Sequence, residues 1–173
     1  RLFIMEAAQP EKEFAWSAEG VQSAHDFLQN VYALVEEYAA GEVAGGGSGE
    51  TVDAVGEYVA REIDATVAAA TDEYENFRFN HALQAVREQV SLLRRYRDHT
   101  VPDADTFERG LVAAVKLLAP VAPHVAEEMW SRLGNDGLLA QADWPDADAP
   151  VDYEVERRLV ENTREDVRDI VET

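Results

Sequence analysis

The sequence predicts an all-α fold, an antiparallel helical bundle, on three observations. Apolar residues recur at helical spacing in successive stretches, and capping residues, glycines and prolines punctuate those stretches. No stretch reads as a convincing strand, and no internal repeat is present. With 173 residues the chain fits one domain and is long enough to bury a core without covalent staples.

The elements follow in order. Residues 1–16 read as the end of a connection from a preceding unit, and Ser17 is a good N-cap for what comes next. From there Val21, Ala24, Phe27, Leu28, Val31, Leu34, Val35 and Tyr38 keep helical phase, and Gly41 supplies a stop. Gly41 to Glu50 is glycine-rich, a flexible linker without the lysine of a nucleotide-binding loop. Thr51 caps a second helix with Val52, Val55, Val59, Ile63, Val67, Ala70 and Tyr74 on its apolar face. A third runs from Phe77 to Tyr96, with Leu83, Val86, Val90 and Leu93 as the buried stripe. A fourth starts near Asp105 and carries Phe107, Leu111, Val115 and Leu118.

A stiff elbow follows. Pro120 stops the fourth helix, because proline has no N–H to donate and its ring clashes with the preceding turn. Pro123 opens a fifth, where the missing N–H is harmless. Val125, Met129 and Leu133 recur at helical spacing with Ala126 and Trp130 one step on, and Gly134 closes the helix in a left-handed conformation. Residues 135–151 form a loop rich in Asp, Ala and Pro. Within it Leu138-Leu139-Ala140 is expected to pair with something beyond the chain. A charged helix begins near Asp152. The expected organisation is a connection over residues 1–16 and a bundle over 17–134. Residues 135–173 form a trailing loop and helix that packs on the bundle or leads to a further domain. Arg1-Leu2-Phe3-Ile4-Met5, already apolar and without an initiator methionine, reads as a cut inside a longer protein, as does the helical pattern at Asp166 to Thr173.

Composition narrows the functional classes. The chain has no cysteine, which excludes disulfides and thiolate metal sites. No apolar run approaches the ~20 residues that span a bilayer, and no secretory signal opens the chain. A cytoplasmic protein without a membrane partner is expected. The net charge is −20, from 35 acids and 15 basic residues, and only Lys12 and Lys116 among the latter are lysines. A surface so acidic suits either a basic partner or a cytoplasm of very high salt, where screening removes the self-repulsion. Scattered acids, scarce lysine and abundant Ala and Val favour the salt reading over a dedicated acidic interaction segment.

No constellation supports catalysis. His25, His81, His99 and His124 lie on different elements, without the close spacing of a metal pair. His124 at a helix start is expected to make a local hydrogen bond. Glu127 and Glu128 point to different faces and suit the dipole of the first turns. Trp16 and Trp130 are expected to pack in the core rather than to stack bases. The exception is a basic window. From Arg78 to Arg97 stand five arginines, Arg78, Arg87, Arg94, Arg95 and Arg97, against the single acid Glu88, which makes the window +4. Arg87 and Arg94, seven apart, share a stripe beside the apolar face. Arginine is suited to bidentate phosphate contact, so the window reads as a track for a nucleic-acid backbone. Ion pairing with neighbouring acidic helices is the equally weighted alternative. Arg97 continues the apolar phase and is expected to bury its stem.

The elbow, with His124, Glu127, Glu128, Trp130 and Leu133 in order, resembles the A-P-x-x-P-H-x-x-E-E-x-W pattern of class I aminoacyl-tRNA synthetases of the leucyl, isoleucyl and valyl group. There it lies in the helical bundle after the catalytic domain. Met129 stands where leucine is usual. Phe14, Trp16, Ser17, Glu19, Gly20 and Val21, then Phe27-Leu28 with Val31-Tyr32, resemble leucyl-tRNA synthetases of the archaeal and eukaryotic type. The Asn-Lys pair usual in isoleucyl and valyl enzymes is absent from that helix. Asn76 to Leu83 and Trp144-Pro145 extend the likeness over nearly the whole chain.

The resemblance implies an anticodon-binding-type helical bundle of a leucyl-tRNA synthetase, from a salt-loving archaeon. It implies contacts to the body of tRNA-Leu rather than anticodon reading, because leucine tRNAs carry several anticodons. On this reading Arg78, Arg87, Arg94, Arg95 and Arg97 form the tRNA track. The catalytic H-I-G-H-like and K-M-S-K-S motifs are absent, so the piece is expected to place tRNA without activating leucine, and to bind no cofactor or metal. ATP and magnesium then belong to the full-length enzyme. Its expected partners are the catalytic and C-terminal domains of the same polypeptide, in a monomer. The alternatives are an acidic helical protein-interaction domain, or the same bundle from a valyl or isoleucyl enzyme.

Self-repulsion at −20 predicts a melting temperature that rises between dilute buffer and molar KCl. A calorimetric or circular-dichroism melt with no rise would contradict the salt reading.

Overall fold

The computed structural model describes residues 1–7, 15–43, 54–148, 158–160 and 162–163. Among them the elements are α1 (Leu2–Ala7), α2 (Ala18–Ala39), α3 (Ala54–Glu75), α4 (Phe79–His99), α5 (Ala104–Leu118) and α6 (Pro123–Arg132), followed by a single 3-10 turn at Leu139–Gln141. There is no strand among the described residues. The expected Thr51 cap, most of the glycine-rich linker and most of the last helix lie outside the described residues.

The helix ends are set by local chemistry. The Ser17 hydroxyl accepts the Gly20 N–H at 3.1 Å, and the Asp103 carboxylate accepts the Thr106 N–H at 2.8 Å. Pro123 occupies the first turn of α6. α2, α3 and α6 end in the same double hydrogen bond, from the two residues after the cap back to the last turn. At α2 these are Gly41 N–H to Tyr38 C=O and Glu42 N–H to Glu37 C=O. Gly41 and Gly134 take the left-handed position, at φ +74° and +80°. At the end of α3 a phenylalanine takes it instead. Phe77 has φ +58°, and Phe77 N–H and Arg78 N–H donate to the Tyr74 and Glu73 carbonyls. This is why α4 begins at Phe79 and not at Phe77, and why Phe77 is exposed.

The central packing unit is α3, α4 and α5, joined by short turns that reverse the chain. Gly110 brings α5 against both partners. A Cβ there would lie 2.7 Å from Leu93 Cδ2 and 3.0 Å from Ile63 Cδ1. The buried Gln89 side chain donates Nε2–H to the Gly110 carbonyl at 2.7 Å. Arg109 adds an ion pair to Asp64 at 2.6 Å and a hydrogen bond to the Ala60 carbonyl at 2.9 Å. Phe107, Leu111, Val115 and Leu118 of α5 are fully buried, as the sequence periodicity predicts. Tyr74 ties α3 to the elbow by donating to the Leu117 carbonyl at 2.7 Å, and burial pushes its hydroxyl pKa up.

α2 packs chiefly on α6, α1 and α4. Its buried stripe is Ala24, Phe27, Val31, Leu34 and Val35. Tyr38 donates to Glu108 at 2.9 Å, and burial with that carboxylate beside it pushes the tyrosine pKa up to about 12. α6 seats Ala126, Met129 and Trp130 in the core. Trp130 is therefore a packing residue.

Within the expected connection, residues 2–7 form a helix on the bundle, with Leu2 buried and the Phe3 ring where a Cβ on Gly20 would clash. Other expectations need correction. Trp16 is 71% exposed, its ring edge-on to Phe3 at 5.4 Å, because it precedes the cap and has no groove to enter. Val55 is exposed while Gly56 is buried, since the first turn of α3 faces the core one residue later. Leu138–Ala140 does not await an outside strand. Glu127 accepts the Leu139 and Ala140 N–H groups at 2.8 and 3.0 Å and curls the segment into the 3-10 turn. Trp144 Nε1–H donates to Thr71 Oγ1 at 2.8 Å and folds the following loop back onto α3.

Two substitutions in α5 separate capping from packing. Asp103→Ala is expected to lower unfolding free energy by about 1 kcal/mol, and Phe107→Ala by about 3–5 kcal/mol, in urea unfolding at one fixed salt concentration.

Candidate nucleic-acid interface

α4 is the one described helix whose outer face is rich in arginine, and packing divides that face. Leu83, Val86, Val90 and Leu93 turn inward, so Arg87 and Arg94 fall on the side facing α2 and Arg95 on the side facing α3. Arg87 and Arg94 line a groove between α2 and α4 of about 510 Å³, with Glu19, Ser23, Asp26 and Asn30. Arg95, with Arg87 again, lines a second groove of about 470 Å³ between α3 and α4, beside Tyr58, Glu62, Thr66 and Glu88. Val160 of the trailing segment reaches this second groove.

The five arginines differ in their partners. Arg78, before the first turn of α4, pairs with Glu73 and with Asp72 at 2.8 Å. Its hydrogen bond holds the Glu73 carboxyl below the usual carboxylate range. Arg97 pairs with Glu37 across to α2 and with Asp98 at 2.8 Å, and its side chain is three-quarters covered, as its apolar phase predicts. Arg87 is gripped twice. Glu6 of α1 accepts from Nε at 2.6 Å and from Nη2 at 2.9 Å, and the guanidinium carbon lies 4.1 Å from the centre of the Phe27 ring. Arg94 is exposed and makes no ion pair or hydrogen bond among the described residues. The structure thus brings Arg87 together with Arg94 on one groove and with Arg95 on the other, and commits Arg78 and Arg97 to ion pairs.

The acidic wall of the α2–α4 groove was not anticipated. Glu19 and Asp26 face the arginines, and Gln22 Nε2–H donates to Asp26 at 2.7 Å. Ser23, Asn30 and Ser91 add hydrogen-bonding groups suited to ribose and phosphate oxygens. The role of Glu6 was missed as well, because nothing local predicts a contact across 81 residues. His124 is exposed and makes no hydrogen bond among the described residues. No three His, Asp or Glu among the described residues gather to hold a metal ion. No described helix is long and apolar enough to cross a membrane.

Comparison with known proteins follows the same direction. Residues 57–173 match the anticodon-binding domain of tRNA ligase. The chain is 51% identical along its whole length to the leucine–tRNA ligase of Halobacterium salinarum, and it spans 19% of that protein. It is 38% identical to the leucine–tRNA ligase of Geobacter sp. strain M21, over 90% of this chain and 19% of that one. The likeness therefore extends beyond the archaeal and eukaryotic type. In three dimensions the chain is similar to the LeuRS of Agrobacterium radiobacter K84 agnB2, solved as a ternary complex with tRNA and LeuAMS. The TM-score is 0.72 at 24% identity, over 86% of this chain and 19% of that one, which speaks for the fold. The chain spans about a fifth of the length of each of these relatives.

The partners predict different roles for neighbouring arginines in stability. Arg87→Ala is expected to lower unfolding free energy by about 1–3 kcal/mol, since it strands Glu6 and uncovers Phe27. Arg94→Ala, with nothing to lose, should stay within about 0.5 kcal/mol of the parent in the same denaturant titration.

Proposed function

The chain belongs to the family of anticodon-binding domains of tRNA ligases, and we propose that it serves a leucine–tRNA ligase by holding tRNA-Leu while the rest of the polypeptide joins leucine to it. Support for leucine comes from relatives of that name that align with all or most of the chain. In this reading ATP, magnesium and leucine are handled by the catalytic part of the full-length protein. That part and the C-terminal domain are the partners within the chain, and the whole acts in the cytoplasm as a monomer.

The observation that carries the tRNA part of the reading is the α2–α4 groove, with Arg94 open to solvent and Arg87 beside it. A guanidinium presents a planar fork of N–H donors to phosphate. In a chain of net charge −20, an arginine without a carboxylate partner is what a polyanion has left to bind. Serine and asparagine along the groove would fix the register of the backbone without reading bases. Such contacts hold tRNA by shape and charge, which suits an amino acid served by several anticodons, and they leave the acceptor end free to reach the catalytic part. Arg95 is assigned a secondary contact on the neighbouring groove. Arg78 and Arg97 are assigned to structure, since a phosphate would have to displace their carboxylates.

In the full-length enzyme, Arg94→Glu is expected to weaken tRNA-Leu binding about tenfold, and less so as KCl is raised. Leucine-dependent ATP–pyrophosphate exchange should persist. An unchanged tRNA affinity across the KCl series would refute the groove as a phosphate site.

A further inference from the structure

Arg87 is held on two sides, by a carboxylate and by an aromatic ring, and the carboxylate comes from the short helix α1. Both oxygens of Glu6 are engaged, at 2.6 and 2.9 Å, and both side chains are largely covered. The pair fills the edge of the guanidinium formed by Nε–H and one Nη2–H. The end-on edge, formed by Nη1 and the second Nη2 hydrogen, has no partner among the described residues. The Phe27 ring covers one face of the plane at 4.1 Å. The guanidinium is therefore fixed in position and in orientation, with a two-pronged donor edge left over beside the groove it lines with Arg94.

We infer that Glu6 is a positioning residue for RNA binding: with Phe27 it presets Arg87 so that the open edge of the guanidinium accepts a backbone phosphate in the α2–α4 groove. This rests on the reading of that groove as a phosphate site. A free arginine gives up the freedom of several torsions when it binds, whereas Arg87 has given it up on folding, so its phosphate contact forms at lower entropic cost. The carboxylate belongs to α1, so the docking of α1 and the geometry of the RNA contact depend on each other.

The sign of one substitution tests this. Coulombic repulsion alone predicts that removing a negative charge from a chain of −20 tightens RNA binding. Positioning predicts the reverse. In the full-length enzyme, Glu6→Gln is expected to raise the Kd for tRNA-Leu about threefold to tenfold. The slope of log K against log KCl should shrink by about one, as for the loss of one phosphate contact. Leucine-dependent pyrophosphate exchange should persist. On an Arg87→Gln background the same change should add nothing. Phe27→Leu, which keeps apolar bulk in the core and removes the ring from Arg87, is the second variant and should shift affinity and slope the same way. Unchanged or tighter binding by Glu6→Gln, or an equal loss on the Arg87→Gln background, overturns the inference. If Arg94→Glu weakens binding while Arg87→Gln does not, the role of Glu6 falls and the groove remains. If neither variant changes affinity, both fall.

Discussion

The close approach of α5 to α3 and α4 at Gly110 is the constraint on which the rest of the molecule depends. Leu93 and Ile63 occupy the space where any larger residue would place its Cβ, and interiors at crystal-like density have no slack to absorb the difference. With α5 seated, Gln89 meets the Gly110 carbonyl, Arg109 reaches Asp64, and Tyr74 reaches the carbonyl of Leu117 just before the elbow. The prolines then turn the chain so that α6 returns over α2 and α5. α2 is thereby held at the side of the unit, against α6 and α1, with a groove between it and α4. The candidate interface is a consequence of this packing: a fully seated α2 would leave no groove for a backbone to enter.

Charge works against the fold and for its selectivity. A chain with 35 acids surrounds its few cations with partners, and Arg78, Arg87 and Arg97 are used this way. The exposed pairs, such as Arg78 with Asp72, contribute little each. Their larger effect is to leave fewer cations open to an outside anion, so that a stretch carrying five arginines in sequence presents fewer in space. The ion-pair alternative holds for Arg78 and Arg97, while Arg94 makes no ion pair among the described residues.

Much of the bundle was legible in the sequence because helix formation and helix ending are local. The 3.6-residue period of Phe107, Leu111, Val115 and Leu118, the cap at Ser17, the glycine stops at Gly41 and Gly134 and the proline elbow each act within a few residues. Each is where the sequence indicates, to within a residue or two. The misses share a cause. Val55 was placed on the apolar face by phase and Trp16 in the core as a large aromatic, yet both are exposed, because burial depends on the surface opposite and not on phase or residue type. Phe77 took the left-handed position usually given to glycine, which no propensity foretells. Glu127 was read as a dipole partner of its own helix, whereas its carboxylate caps a turn twelve residues on.

By itself the sequence determined that this chain is helical, where its helices stop, how acidic it is and which family it resembles, because periodicity, capping, charge and motif order need no knowledge of neighbours in space. Only the tertiary structure decided which arginines are spoken for. That depends on Glu6 meeting Arg87 across 81 residues and on Glu37 meeting Arg97 across 60, and an ion pair between distant elements exists only once packing has brought those elements within a few ångströms.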